Sequence, residues 1–336
     1  MTEEKQKYVS RRGVLSAAAV VGLVGSGATA GVAEAAVSAR WKRRPRSPEP
    51  RPSTRPVKSP APSPSPSPTP TPVAGAVLIG MSAPASLWDQ RVREVGGGLA
   101  ARRIFADLAN GATSQIRTVE RAHADGMLPV ISYKVGGDIN GAINGRFDAV
   151  AEQAATRLAS YGLPTAVTFW HEPNPDVTGA QYVAASKRLL PIFKRGKLRV
   201  GPLLNGWLLD NKMATWSAYC PDELLDLWDW VGLDTYESGT PERPGPIKPA
   251  DRIPALAAFL ASRGYDHLPM AVGEYNGYSA QTIAQAGETL LSTPNVWFGC
   301  VFNSDYGAKG DVLDGARLTA FRDTLADPRS AEPRAV

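Results

Sequence analysis

Cysteine and histidine are both scarce in this chain of 336 residues, which contains two cysteines and three histidines. Cys220 and Cys300 form no CxxC pair, so the sequence favours two small apolar thiols over a disulfide but leaves their state open. The histidines lie at unrelated spacings, and neither residue type follows a metal-ligand pattern. We therefore predict a protein that works without a bound metal ion.

Motifs for binding phosphate and for an activated serine nucleophile are missing as well. Gly96-Gly97-Gly98 is the glycine cluster most like a nucleotide-binding loop, but it precedes a predicted strand instead of following one. We interpret it as an ordinary loop. The sequence therefore predicts that no cofactor takes part.

Positive charge is concentrated near the N-terminus, although the whole chain has a net charge of +5. Residues 1–72 contain 12 Lys and Arg against 4 Asp and Glu, whereas the remaining residues contain 25 against 28, a net charge of −3. A mildly acidic domain gives no electrostatic basis for binding nucleic acid. We therefore expect no nucleic-acid partner.

Residues 1–39 have the pattern of an export signal. Arg11-Arg12 precede a weakly hydrophobic run, rich in glycine and alanine, that ends near Ala30. Twin arginines in this position are typical of a twin-arginine (Tat) signal. A membrane anchor is the alternative, but the run is shorter than the roughly 20 residues that a spanning helix needs. We expect a secreted or cell-envelope protein that contacts the membrane only through this signal.

Residues 40–72 are basic at first and then alternate proline with serine and threonine. A stretch with so few apolar side chains cannot form a core, and frequent proline favours extended polyproline II. We predict a disordered linker that separates the export signal from a folded domain over residues 73–330, followed by a short tail over 331–336.

Within residues 73–330, short apolar runs alternate with helical patterns, which indicates the α/β class. We predict eight strands, at 76–82, 100–106, 128–135, 165–172, 198–204, 231–236, 269–274 and 296–303. Helices are expected at 87–95, 113–124, 147–161, 181–194, 221–227, 250–263, 281–292 and 316–325. Eight evenly spaced units in about 255 residues favour a (β/α)8 TIM barrel over a doubly wound sheet.

Two of these predicted strands end in a glutamate. The run Thr168-Phe169-Trp170-His171-Glu172-Pro173-Asn174 is apolar until Glu172, and Met270–Tyr275 carries Glu274 in the same way. Active sites of such barrels lie at the carboxyl ends of the strands, so the two carboxylates are expected to face each other there. Glycoside hydrolysis typically requires two carboxyl groups, one as general acid and the other as nucleophile or general base.

These residues resemble clan A, the (β/α)8 clan of retaining glycoside hydrolases, whose signature is a glutamate at the ends of strands four and seven. His171 stands directly before Glu172, which is the form found in glycoside hydrolase family 26, a family that includes β-mannanases, glucanases and xylanases. Val231–Tyr236 is similar to the G-x-D-x-Y pattern of that family's sixth strand. Phe302 stands where that family typically has a tryptophan.

The resemblance implies that Glu172 is the acid/base and Glu274 the nucleophile, that His171 is a polar ligand beside them, and that Tyr236 hydrogen-bonds the nucleophile. Apart from this resemblance, the residue types alone lead us to expect that Tyr236 and Asn276 stabilise an ionised Glu274. Further predicted contacts with sugar are aromatic faces and amide groups at the strand ends. They are Trp207, Tyr275 and Phe302, and Asn174 and Asn205.

The sequence thus predicts an exported, monomeric glycoside hydrolase that cleaves β-linked polysaccharide or oligosaccharide with retention, similar to an endo-β-mannanase or β-glycanase. The alternative is a carbohydrate-binding barrel without turnover, displayed at the cell envelope by its linker. An inverting enzyme is a further alternative, which would separate the two carboxyl groups by roughly 6.5–9.5 Å instead of about 5–5.5 Å.

Overall fold

The computed structural model of this protein describes residues 76–305 and 311–332. The predicted export signal, the predicted linker and the last four residues of the predicted tail therefore lie outside the described residues. Within the described ranges, we find no helix whose length and apolar character would allow it to cross a membrane.

The described residues contain eleven β-strands, of which nine form one parallel sheet. Their bounds are β1 Leu78–Ser82, β2 Ala101–Asp107, β3 Leu128–Lys134, β4 Thr165–Phe169, β5 Leu198–Val200, β6 Leu203–Asn205, β7 Val231–Tyr236, β8 Gly239–Thr240, β9 Arg243–Pro244, β10 Met270–Asn276 and β11 Val296–Phe302. β8 and β9 form a short antiparallel hairpin, which the sequence analysis did not predict.

The described residues also contain eleven α-helices. Their bounds are α1 Trp88–Val95, α2 Ile116–Ala124, α3 Ile139–Ile143, α4 Asp148–Ala159, α5 Gly179–Phe193, α6 Trp207–Asn211, α7 Met213–Tyr219, α8 Asp222–Leu225, α9 Pro249–Ser262, α10 Ala280–Ser292 and α11 Gly315–Ala326. All eight predicted helices are present within a few residues of their predicted bounds. The three additional helices, α3, α6 and α7, span seven residues or fewer, too short for a clear hydrophobic period.

The sheet closes into a barrel between β5 and β6. These strands are the two ends of the order β5-β4-β3-β2-β1-β11-β10-β7-β6, yet only Gly201 and Pro202 separate them in sequence. The Gly201 N–H donates to the Val167 carbonyl at 3.0 Å, and the Pro202 carbonyl accepts from the Gly232 N–H at 3.1 Å. The single predicted strand 198–204 thus bends to pair with a different neighbour in each half, which confirms the (β/α)8 barrel.

Gly201 is required where this strand bends. A Cβ at position 201 would lie 2.3 Å from the Trp230 carbonyl oxygen and 2.4 Å from its indole ring. Trp230 is itself fully buried in the barrel interior and packs edge-on against Phe298 at 5.3 Å. The bend therefore depends on a residue without a side chain.

The barrel interior is apolar towards the amino ends of the strands. Its buried cluster consists of Ala101, Leu128, Val130, Ala166, Leu203, Trp230, Ala271, Phe298 and Cys300. A larger apolar cluster lies between the strands and the surrounding helices. Cys220 and Cys300 are both buried and unpaired, and burial raises the pKa of both thiols, as expected for inert apolar residues.

Candidate active site

Polar side chains occupy the barrel interior at the carboxyl ends of the strands. They alternate along each strand with residues that face outward, and they lie above the apolar cluster. Six of these inward-facing residues form the site: Ser82, Arg103, Asn205, Asp234, Tyr236 and Glu274. Parallel strands end at one edge of a barrel, so groups far apart in sequence meet there.

Glu274 is buried, with 7 % of its surface exposed, and both oxygens of its carboxylate accept hydrogen bonds. The Ser82 hydroxyl donates to Oε1 at 2.9 Å, and the Tyr236 hydroxyl donates to Oε2 at 2.5 Å. A buried carboxylate is costly unless such donors compensate for the lost water. The two hydroxyls therefore fix the position of the Glu274 carboxylate.

A β-bulge turns Glu274 into the barrel. Along β10, Val272 and Glu274 pair with the consecutive residues Leu233 and Asp234 of β7, so β10 contains one extra residue at Gly273. Because side chains alternate along a strand, the extra residue reverses the alternation beyond it. Glu274 consequently faces inward.

Tyr275 faces outward for the same reason, and its predicted contact with sugar is wrong. It is 0 % exposed and belongs to the apolar cluster between strands and helices. Without the bulge, strict alternation from the inward-facing Ala271 would have directed Tyr275, and not Glu274, into the barrel.

Glu172 lies just beyond β4, which ends at Phe169, three residues before the predicted end of this strand. Trp170 and Glu172 both have positive φ values, 49° and 47°, in the left-handed region that non-glycine residues rarely adopt. The Glu172 N–H donates to the Leu203 carbonyl at 2.8 Å, which holds this conformation against β6. Backbone strain of this kind, roughly 1–3 kcal/mol per residue, is concentrated at functional sites.

Asp234 and Arg103 are buried next to each other inside the barrel, with 3.9 Å between Asp234 Oδ2 and Arg103 Nη2. Burial, and next the charge of Glu274, raise the pKa of Asp234 well above its usual value, and Glu172 adds to the effect. Arg103 opposes this shift. Burial, together with the charges of Glu274 and Glu172, therefore favours the neutral form of Asp234.

The charges of Glu274 and Glu172 also act on Tyr236. Burial, followed by the charges of Glu274 and Glu172, raises its pKa well above the usual value of a tyrosine. Tyr236 therefore remains a protonated donor to Glu274 at neutral pH. Because Glu172 and Glu274 both act on Tyr236 and on Asp234, the two predicted carboxylates share one electrostatic environment.

The segment around Glu172 contacts several other predicted site residues. His171 is buried, and its ring packs edge-on against Phe105 at 5.1 Å between centroids. Asn205 Oδ1 accepts from the Asn174 N–H at 3.1 Å, and Asn174 Nδ2 donates to the Tyr219 hydroxyl at 3.4 Å. Asn205, which is 2 % exposed, thus supports the backbone that follows Glu172.

Two predicted aromatic residues lie at the rim of the barrel. Trp207 begins α6 directly after β6 and is 37 % exposed, with the Lys212 ammonium 5.4 Å from its ring centroid. Phe302 ends β11, is half-buried, and packs edge-on against Tyr236 at 5.9 Å. Both can present an apolar face at the mouth.

Asn276 does not stabilise Glu274, contrary to the prediction. Its side-chain amide donates to the carbonyls of Phe302 and Asp311, both at 2.7 Å. Its carbonyl oxygen accepts from the Gly277 N–H at 2.6 Å. Asn276 therefore anchors the chain that follows β11.

Sequence reasoning missed Ser82, Arg103 and Phe105. Ser82 has no motif around it, and its contact with Glu274 spans 192 residues. Phe105 is 36 % exposed although it shares the inward face of β2 with the buried Arg103, whose guanidinium lies 4.8 Å from its ring centroid. An arginine and an aromatic residue two positions apart near a strand end were the signal available in the sequence.

No cluster of three or more His, Cys, Asp or Glu side chains suited to a metal ion occurs among residues 76–305 and 311–332. The groups described at this mouth are carboxylates, hydroxyls, a guanidinium, side-chain amides and an imidazole. They are suited to proton transfer and to nucleophilic attack by a carboxylate.

No protein-family model and no curated protein matches this chain. Solved structures do resemble it. A GH5_18 protein variant of Bifidobacterium longum subsp. longum, in complex with Manβ1-4GlcNAc, has a TM-score of 0.57 at 14 % identity, with 76 % of this chain and 79 % of that chain covered. An endo-β-1,4-glucanase variant of Xanthomonas axonopodis pv. citri has a TM-score of 0.53 at 11 % identity, with 74 % and 99 % covered.

An endo-β-1,4-mannanase double mutant of Cellulomonas fimi has a TM-score of 0.51 at 15 % identity, with 77 % of this chain and 72 % of that chain covered. At such low identities these likenesses show that the chain shares the barrel fold of these glycoside hydrolases. The narrower resemblance to family 26 stays a prediction.

Proposed function

We propose that this protein is a glycoside hydrolase that cleaves β-linked polysaccharide or oligosaccharide with retention of configuration. Glu274 is the nucleophile, and Glu172 is the general acid and base. One observation carries the proposal: the Glu274 carboxylate has a hydroxyl donor on each oxygen. Glu172, whose charge acts on the same neighbours, provides the second carboxyl group at that mouth.

The reaction has two steps. In the first, an oxygen of Glu274 attacks the anomeric carbon, the bond to the leaving oxygen breaks, and Glu172 gives its proton to that oxygen. In the second, water attacks the anomeric carbon, Glu172 takes its proton, and the bond electrons return to Glu274. Donors on Glu274 suit a nucleophile that must start and end ionised.

The substrate class follows from the rim of the barrel and from the fold. Trp207 and Phe302 have apolar ring faces that suit a pyranose, and His171, Asn174 and Asn205 are polar groups near Glu172. Proteins that share this fold are named for action on β-1,4-mannan and β-1,4-glucan, which supports a β-linked glycan. More narrowly, we propose an activity like that of an endo-β-mannanase or β-glycanase.

Localisation and assembly are also proposed from the sequence. Arg11-Arg12 and the apolar run after them support export by the twin-arginine pathway, and residues 40–72 support a linker. The protein is then a secreted or cell-envelope monomer. Fractionation of the producing cell and light scattering of the purified full-length protein test these two statements.

The deciding experiment compares the wild type with Glu172→Gln, Glu274→Gln and the control Glu223→Gln on β-mannan, β-1,4-glucan, xylan and β-1,3-glucan. Glu223 is an exposed residue of α8, paired with Lys187. We expect Glu172→Gln to lose about 10²–10⁴-fold in kcat and Glu274→Gln to fall to background. The control should keep full activity, and NMR of the first product should show the β-anomer.

Three results would contradict the proposal. Undiminished hydrolysis by both glutamate variants would remove the roles of Glu172 and Glu274. Binding of these glycans by the wild type without any hydrolysis would instead favour a carbohydrate-binding barrel. An α-anomer as first product would indicate inversion.

A further inference from the structure

Ser82 is the one donor to Glu274 that no sequence pattern indicated. It ends β1, it is fully buried, and its hydroxyl donates to Glu274 Oε1 at 2.9 Å. The other donor, Tyr236, belongs to β7. In the sheet order β1-β11-β10-β7 these two strands lie on opposite sides of β10, so the carboxylate is held from both sides.

The two oxygens of Glu274 differ in their access to the mouth. Oε1 contacts a hydroxyl that is 0 % exposed, whereas Oε2 contacts Tyr236, which is half-buried and packs against Phe302 at the rim. A substrate enters from the mouth. The oxygen on the Tyr236 side is therefore the one that can approach an anomeric carbon.

We propose that Ser82 is a positioning residue that holds the oxygen of Glu274 that does not attack. This inference rests on the proposed function. When Oε2 bonds to the anomeric carbon and Glu172 protonates the departing oxygen, Oε1 becomes the carbonyl oxygen of the glycosyl ester. A carbonyl oxygen still accepts a hydrogen bond, so the Ser82 contact persists through the covalent intermediate.

The same contact assists the second step. Water attacks the anomeric carbon, the bond to Oε2 breaks, and its electrons return to the carboxylate. The Ser82 hydroxyl already donates to Oε1, over which the returning charge spreads. A hydrogen bond to a charged group of this kind contributes about 1.5–3 kcal/mol, so its loss should slow catalysis about ten- to a hundred-fold.

Ser82 can be changed without disrupting its strand. Its backbone carbonyl accepts from the Asn303 N–H at 2.8 Å, and all five residues of β1 pair with β11 through the backbone. Ser82→Ala removes only the hydroxyl. Ser132→Ala is a matched control, because Ser132 is 1 % exposed on β3 and its hydroxyl has no hydrogen-bond partner among the described residues.

The first test is a pair of crystal structures of the full-length variants. We expect the Glu274 carboxylate to rotate away from its wild-type plane in Ser82→Ala and to keep that plane in Ser132→Ala. An unchanged carboxylate in Ser82→Ala would overturn the inference. This measurement does not depend on turnover, so it decides the role of Ser82 even if no substrate is hydrolysed.

The second test uses dinitrophenyl β-cellobioside and dinitrophenyl β-mannobioside as probes. We expect Ser82→Ala to lose about ten- to a hundred-fold in kcat with little change in KM. Equal kinetics of Ser82→Ala and Ser132→Ala would overturn the inference. If the wild type hydrolyses neither probe nor any glycan, the proposed function fails.

Discussion

Tyr236 and Glu274 are joined across neighbouring strands by a hydrogen bond of 2.5 Å from the phenol to Oε2. The bond connects the last residue of β7 to the bulged part of β10. Burial and the charges of Glu274 and Glu172 raise the pKa of Tyr236, so its hydroxyl keeps the proton that it donates. Tyr236 therefore stays protonated and keeps donating to the Glu274 carboxylate.

Tyr236→Phe should lose about ten- to a hundred-fold in kcat/KM, because a hydrogen bond to a charged group disappears. The raised pKa of Tyr236 further predicts that deprotonation of this tyrosine does not cause the basic limb of the wild-type pH–rate profile. Removing the hydroxyl should therefore leave the basic limb at the same pH. Tyr265→Phe, which removes an exposed contact with Asp226, is the control, and a lost basic limb in Tyr236→Phe would refute the argument.

Azide should distinguish the roles of the two glutamates. In Glu172→Ala, azide can replace water in the second step without needing a general base, so it should restore turnover of a dinitrophenyl glycoside and give a β-azide. In Glu274→Ala, azide can occupy the nucleophile's position and should give an α-azide. NMR of the products identifies each anomer, and exchanged outcomes would reverse the assignment.

Trp207→Ala should raise KM for oligosaccharides about 3- to 10-fold with little effect on kcat, because a stacking contact is worth roughly 0.5–1.5 kcal/mol. Met213→Ala is the control, since Met213 is also an exposed apolar residue, at 46 %, on the next helix. Steady-state kinetics on a series of increasing chain length test this. Equal effects of the two substitutions would mean that Trp207 does not bind sugar.

Asp234→Asn should change how stability depends on pH. The pKa of Asp234 is raised in the folded protein, so the unfolded chain releases this proton first as pH rises above about 4. Rising pH therefore lowers the free energy of unfolding of the wild type, whereas Asp234→Asn has no such proton to lose. The free energy of unfolding of the variant, relative to wild type, should increase between pH 3.5 and 7 in urea titrations. A difference that is constant with pH would contradict the buried, neutral Asp234.

Gly201→Ala should destabilise the barrel by about 3 kcal/mol or more, because the added methyl group collides with Trp230 where β5 and β6 meet. Gly264→Ala is the comparison. Gly264 has a φ of +78° but no atom within 4 Å of an added Cβ, so only about 1–2 kcal/mol of backbone strain is expected. Thermal unfolding of both variants measures the difference, and equal losses would mean that the bend tolerates a side chain.

The sequence by itself determined the class of fold and the two carboxylates. Alternating apolar runs and helical periods are local patterns, set by which face of each element is buried. They located eight strands and eight helices within a few residues. Glu172 and Glu274 stood out because a carboxylate at the end of an apolar strand is costly unless that end is a site.

Only the tertiary structure decided which side chains meet. The extra residue at Gly273 turns Glu274 inward and Tyr275 outward, and this bulge depends on pairing with β7 and β11. Local alternation cannot reveal such a reversal. Likewise, the bend at Gly201 and the bond from Ser82 to Glu274 arise from contacts between segments distant in sequence. These contacts exist only once the barrel has closed.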